Sequence, residues 1–189
     1  MAKTGYKLFM TKKSKPGELF PLYVFADQSL PIGEWLDAEE GKRDDRGGVK
    51  SRLGSLCFRP GWHINENCPY ATHIYTWHGN EADGSRSKYQ KDGTVWCEVE
   101  YSDDIDYQEE ADRNGIHPNG RFVERDAYLK HVPTNGFYRY KTSPQMYGRW
   151  IIAGKMKIVR ILTDREVYDI CSRYGLTPLQ RYMGETKSF

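Results

Sequence analysis

Apolar and polar positions alternate most clearly over residues 94–101, Thr-Val-Trp-Cys-Glu-Val-Glu-Tyr. In an extended chain Val95, Cys97, Val99 and Tyr101 share one face, and Trp96, Glu98 and Glu100 share the other. That period of two predicts a strand with one buried side. Residues 5–10 predict a first strand, followed by a polar turn over 11–17 and a short strand at 22–25. Residues 31–36 read as extended, with Trp35 as an anchor. Residues 53–59 form a short apolar segment, and 69–77 fit helix or strand equally, because a short apolar run has no decisive period. Residues 137–141 and 149–153 predict paired strands around a turn at Ser143 and Pro144. Over residues 155–162, Met156 and Ile158 alternate with Lys155 and Lys157, which predicts another strand.

Helix signals are fewer. Thr163-Asp-Arg-Glu166 is a capping box: the hydroxyl accepts the Glu166 amide while the carboxylate reaches back to the Thr163 amide. The helix it starts should reach about Tyr174, with Gly175 as the left-handed exit and Pro178 beyond. The acidic stretch 103–114 predicts a second helix, stopped by Gly115. Two segments predict loops: the charge-dense stretch 37–52 with its three glycines, and the polar, glycine-punctuated stretch 79–93. The expectation is an α+β protein, mostly antiparallel sheet with a few short helices. It should form a single domain over residues 1–189, with a flexible tail after about 179.

Composition narrows the class. The 189 residues include 26 rings, too many for a chain that cannot bury a core. No apolar run approaches the roughly 18 residues of a membrane span, so no membrane partner is expected. The start lacks a signal-peptide core, and Cys57, Cys68, Cys97 and Cys171 form no CxxC pair. Reduced thiols in a cytoplasmic protein are expected.

The net charge of +2 is an average. Residues 102–126 hold eight acids against three bases, and residues 127–189 hold eleven bases against four acids. The plain reading is two solvated faces. The sharper reading is a basic patch of Arg139, Arg149, Lys155 and Lys157, joined by Arg160, that meets nucleic acid or a partner protein. Tyr138, Tyr140 and Trp150 lie among these bases and would suit stacking on nucleobases or a nicotinamide-adenine ligand; the more usual place for rings at alternate strand positions is the core or a cross-strand pair.

The densest chemistry lies at residues 57–78. A zinc set of His63, Cys68, His73 and His78 lacks the short paired spacing of structural sites, so no metal is expected. Cys57 and Cys68 lack an activating motif for nucleophilic work. The third feature is Arg-Pro-Gly-Trp-His at 59–63. Pro60 fixes a turn, Gly61 permits close approach, and Trp62 and His63 project oppositely if the chain is extended. Arg59 and His63 could hold a phosphate and a sugar hydroxyl; the alternative is a structural turn.

Five segments together carry a resemblance. They are 59–63, 95–100, Asp106-Tyr107-Gln108, Trp150-Ile-Ile-Ala-Gly154, and Ile161-Leu-Thr-Asp-Arg-Glu-Val167. They resemble an uncharacterised domain of phages and bacterial mobile elements, over about residues 6–178. That resemblance implies an accessory protein acting in the cytoplasm of a bacterial host. More distantly, the chain is similar to the ADP-ribosyltransferase superfamily, which splits NAD on a small α+β core. That similarity implies Lys7 or Tyr6 in the first site position, His63 in the second, and Glu98 or Glu100 as the acid. Trp62 or Tyr70 would stack on nicotinamide, and NAD would be the substrate. The carboxylate would hold a ribose hydroxyl and stabilise the positive charge that develops as nicotinamide leaves. Two functions follow as expectations: a nucleotide-handling enzyme of this kind, or a non-catalytic module gripping nucleic acid or a host protein through the basic C-terminal third.

Overall fold

The computed structural model describes residues 2–116, 126–142 and 146–182. A long strand, β1 (Ala2–Lys12), turns back into β2 (Lys15–Phe20). Three short strands follow: β3 (Trp35–Asp37), β4 (Val49–Ser51) and β5 (Gly54–Leu56). Next come β6 (Trp62–Asn65), β7 (Tyr75–His78), β8 (Ser87–Gln90), the long β9 (Thr94–Ser102) and β10 (Ile105–Asp106). Helix α1 (Gln108–Asn114) precedes β11 (Gly136–Tyr140), β12 (Trp150–Ala153) and β13 (Lys155–Ile161), and α2 (Asp164–Ser172) is the second helix.

Nine strands build one sheet in the order β10-β11-β12-β6-β1-β9-β13-β3, with β2 beside the end of β1. Among the described strands only β10 and β11 pair in parallel, and an isolated parallel bridge joins Ile32 to Ile158. The pairs β4–β5 and β7–β8 stand apart as two small hairpins. The described fold is therefore dominated by one mostly antiparallel sheet, richer in strand than a balanced α+β protein.

The sheet is strongly curled. Strands four places apart in a flat sheet would lie roughly 19 Å apart. Yet Tyr101 on β9 meets Phe137 on β11 with ring centroids 5.6 Å apart. Likewise Trp62 Nε1 on β6 donates to the Leu36 carbonyl on β3 at 3.0 Å. The concave side holds Phe9, Ile64, Val99, Ile151, Met156 and Ile158 in one core. On the convex side α2 packs Val167 and Cys171 against Leu8 and Trp96. Farther along that side α1 packs Ala111 near Tyr138, Tyr140 and Ile152.

The strand over 94–101 keeps its expected faces, and Trp96 is buried beneath α2 rather than left beside the glutamates. The capping box forms as expected, with both reciprocal bonds present. Gly175 follows at φ 69°, in the left-handed region.

Three expectations fail for physical reasons. Residues 22–25 form a turn, because β2, with its Pro16 and Gly17, already occupies that edge of β1. Leu22 and Tyr23 still join the core from the turn. Trp35 is no anchor: it is 45% exposed on an edge strand, with Lys157 Nζ 5.2 Å from its ring centre. The loops at 37–52 and 79–93 each donate a strand to a small hairpin. At the start of the tail the Gln180 carbonyl accepts from Gln90 N at 2.8 Å, and Arg181 pairs with Asp164 at 2.7 Å. The expected turn at Ser143 and Pro144, and the rest of the tail, lie outside the described residues.

Gly5 sets how closely β6 can approach β1. A Cβ there would sit 2.5 Å from Ile64 Cγ2 and 2.9 Å from the Asn65 carbonyl oxygen. Gly5→Ala should therefore cost about 1–3 kcal/mol through overpacking, read as a lower urea midpoint with an unchanged slope. A midpoint equal to that of the wild type would show that the strands separate freely.

Candidate functional site

Alternation sends neighbouring residues of 59–63 to opposite sides of the sheet. On β6, Trp62 packs on the concave core while His63 lies across from Ile152 on the convex side. Gly61, at φ 135°, makes this bend possible, since a Cβ there would meet Ile152 Cγ2 at 2.5 Å.

The His63 ring is engaged by its neighbours. Its Nδ1 lies 3.1 Å from the Gly61 carbonyl, and its ring stands edge-on to Trp150 at 6.2 Å. Burial first, then the Arg59 and Lys7 charges, hold its pKa well below the ordinary 6.5. The neutral ring donates from Nδ1 to Gly61. Lys7 shares the concave side with Phe9 and lies between the Phe9 and Trp62 rings, with Nζ 5.8 and 5.9 Å from their centres. It donates to the His63 carbonyl at 2.7 Å, and burial lowers its pKa to about 8.

Glu98 and Glu100 lie on the convex side of β9 and are engaged by cations. Arg160 pairs with Glu98 at 3.0 Å and with Glu166 at 2.6 Å, and Lys157 pairs with Glu100. β1 separates β6 from β9, which puts His63 and Glu98 roughly 10 Å apart or more. Tyr6 and Glu98 are the one pair from the NAD-splitting set that faces directly across a ladder. Tyr70 is half-buried, edge-on to Tyr147 at 5.9 Å, with its carbonyl accepting from Asn65 Nδ2. The residues expected to act together are thus divided: Lys7 and Trp62 on one side of the sheet, His63, Glu98 and Glu100 on the other.

The expected basic patch is also divided and neutralised. Arg139 binds Glu66 through two nitrogens, Arg149 pairs with Asp126 at 3.0 Å, and Lys155 pairs with Asp37 at 3.5 Å. Arg139 sits with Phe137 on the concave side, opposite the side that Lys155 and Lys157 face. Among the described residues no three His, Cys, Asp or Glu side chains gather as a metal-ligating group. His78 instead binds Asp92 at 2.7 Å, away from Cys68. All four cysteines are free. No described helix is long and apolar enough to cross a membrane.

What the fold does assemble centres on Arg59. Its guanidinium lies 4.5 Å from the Tyr140 ring centre, and its buried Nε has no hydrogen-bond partner among the described residues. Tyr128 meets Tyr140 edge-on at 6.0 Å and hydrogen-bonds Cys57, and burial pushes its hydroxyl up to about 12. Beside this nest opens a cavity of about 480 Å³, lined by Arg43, Arg46, Ser55, Cys57, Tyr128 and Lys130 among others. Arg43 lies flat on Phe58, 3.4 Å from the ring centre. Asp44 shapes the turn by accepting from the Arg46 and Gly48 amides, both at 2.9 Å. Among the described residues Arg43, Arg46 and Lys130 form no ion pair. A second cavity, of about 580 Å³ beside α1, is lined by Asp106, Glu109 and Asp112 and would repel an anion.

Sequence reasoning missed Arg43, Arg46 and Lys130. They sit in stretches whose charge density reads as a solvated surface, and nothing local marks them as cations that form no ion pair among the described residues. Comparison with protein-family models, curated proteins and solved structures finds no match for this chain.

The buried bases give stability a pH signature. The unfolded chain protonates His63 near 6.5 while the folded one refuses the proton, so stability should fall as pH drops below about 6.5. Lys7 acts in the same sense at higher pH. Above about 8 the folded amine is neutral while the unfolded one stays charged, so stability should rise from about pH 8 to about 9.5. Beyond that the tyrosines oppose it, because Tyr101 and Tyr138 are held up to about 12 by burial. Urea unfolding across this range should show the alkaline rise in the wild type and its loss in Lys7→Met. A rise that persists in Lys7→Met would assign it elsewhere.

Proposed function

We propose that this chain is a nucleotide- or nucleic-acid-handling accessory protein that acts by binding rather than by catalysis. Its ligand carries phosphate and seats in the cavity beside Arg59. One observation carries the reading: Arg43, Arg46 and Lys130 converge on one cavity without an ion pair among the described residues, the Asp44 carboxylate near Arg46 being held by the Arg46 and Gly48 amides. Elsewhere on the sheet, cations such as Arg139, Arg149, Lys155 and Lys157 are paired. Guanidinium groups suit phosphate because their planar forks match two oxygens at once. Arg43 braced on Phe58 loses less freedom on binding than a free arginine would. Tyr128 adds a hydroxyl and a ring face for a sugar or base. The setting is that of the phage and mobile-element domain its motifs resemble, in a bacterial cytoplasm.

Binding is favoured over NAD cleavage because Glu98 and Glu100 are held by Arg160 and Lys157, and His63 is held by Gly61. A carboxylate already neutralised by a cation stabilises a developing positive charge poorly.

Calorimetric titration with ADP and with inorganic pyrophosphate tests the reading. Both should bind, more weakly as salt rises. Exchanging Arg43, Arg46 and Lys130 together for Gln should weaken binding at least about tenfold, some 1.4 kcal/mol. Unchanged affinity in that triple variant would overturn the site. Release of nicotinamide from NAD by the purified protein would overturn the non-catalytic reading.

A further inference from the structure

The β7–β8 hairpin stands apart from the main sheet, and its two sides differ. The register Tyr75↔Gln90, Thr76↔Tyr89, Trp77↔Lys88 and His78↔Ser87 puts Tyr75, Trp77 and Lys88 on one side, with His78 and Tyr89 on the other.

The His78 side is anchored. The His78 ring stacks on Tyr182 at 3.8 Å and 3° between planes, while Asp92 holds its Nε2 at 2.7 and 2.9 Å. Tyr89 packs edge-on against both rings, at 5.7 Å from His78 and 5.2 Å from Tyr182. Thr76 Oγ1 accepts from the Asp92 amide at 3.1 Å, which ties the strand to the following turn.

The Trp77 side is open at its Trp77 and Lys88 end, while Gln90, opposite Tyr75, is buried. Trp77 is 44% exposed and meets Tyr75 edge-on at 5.6 Å. Cations border both rings: Lys88 Nζ lies 4.3 Å from the Tyr75 centre and 5.4 Å from that of Trp77, and Arg86 lies 4.9 Å from Trp77. Lys88 has no carboxylate partner among the described residues, and the partner of Arg86 is the exposed Glu81 at 2.7 Å. Phosphate can displace so exposed a carboxylate at little cost.

We infer that this side of the hairpin is a stacking platform for unpaired nucleic acid. The two ring centres lie 5.6 Å apart with their planes nearly perpendicular, so Trp77, the more exposed ring, offers the stacking face and Tyr75 borders it. Every base has a flat face, so such stacking tolerates any sequence, and flanking cations meet the phosphates. A duplex hides its base faces and offers the platform only its backbone. An aromatic partner protein would leave Lys88 without counter-charge, whereas a polyanion supplies it. None of these residues lines the Arg43 cavity, so this surface is independent of the phosphate site proposed above.

Fluorescence anisotropy with a labelled 12-nucleotide oligo(dT), against a 12-base-pair duplex, tests the platform. The single strand should bind at least about tenfold more tightly than the duplex. Trp77→Ala should weaken oligo(dT) binding about tenfold or more, the order expected for losing one stacked base, and Trp77→Phe should recover most of it. Lys88→Gln should lower the salt slope by about one phosphate contact. ADP affinity should stay unchanged in the Trp77 variants, which separates this platform from the cavity and checks that the variants fold. Equal binding of strand and duplex, or full oligo(dT) affinity in Trp77→Ala, would overturn it. Loss of oligo(dT) binding only in the variant with Arg43, Arg46 and Lys130 exchanged would also overturn it, by assigning the strand to the cavity.

Discussion

The ladder between β1 and β9 is the constraint on which the other strands depend. It runs nine residues without a break, from Ala2 opposite Ser102 to Met10 opposite Thr94. Because side chains alternate, that register sends Gly5, Lys7 and Phe9 to the concave side and Tyr6, Leu8 and Met10 to the convex side. The free edges of the pair then take β6 and β2 on one side and β13 on the other. Gly5 matters at the junction with β6, where Ile64 and the Asn65 carbonyl leave no room for a Cβ. A one-residue slip would bury Glu98 and Glu100 and expose Val99 and Tyr101, so hydrophobic patterning and pairing enforce one another.

The same pairing explains what becomes of the uneven charge along the chain. The acids of β9 and the bases of β13 lie far apart in sequence but side by side in the sheet, with Lys157 opposite Glu100 and Arg160 opposite Glu98. Most of these pairs are at least partly solvated, so each contributes modestly to stability. Their larger effect is on recognition, since a paired cation attracts phosphate less than a free one does. What distinguishes Arg43, Arg46 and Lys130 is the lack of an ion pair among the described residues rather than local abundance of charge.

Much of the fold was legible where one local rule dominated. The alternation at 94–101 and the reciprocal bonds of Thr163 and Glu166 are properties of short segments, and both are present in the structure. Legibility failed where the neighbour decided. Pro16 and Gly17 read as a turn, yet the edge position beside β1 tolerates them in a strand. Ser87–Gln90 read as loop, because its partner Tyr75–His78 was itself ambiguous. The candidate site was legible only at Arg59, whose bend was marked by Pro60 and Gly61. The roles of His63 and Glu98 depend on which strands flank β6 and β9, and no spacing encodes that.

The buried tyrosines connect core to site. Tyr101, Tyr138 and Tyr140 are almost wholly buried, where a phenylalanine would avoid the cost of removing a hydroxyl from water. Tyr138 recovers that cost by accepting from the Leu129 amide at 3.2 Å. The bond fixes the backbone between Tyr128 and Lys130, the two residues this segment sends to the cavity. Tyr140 does the corresponding work on the other wall, since its ring takes Arg59 on its face and Tyr128 at its edge. Polar atoms inside the core therefore decide where the cavity's tyrosine and lysine stand. A hydrophobic replacement at Tyr138 could preserve the packing of the sheet and still release the segment that shapes the cavity.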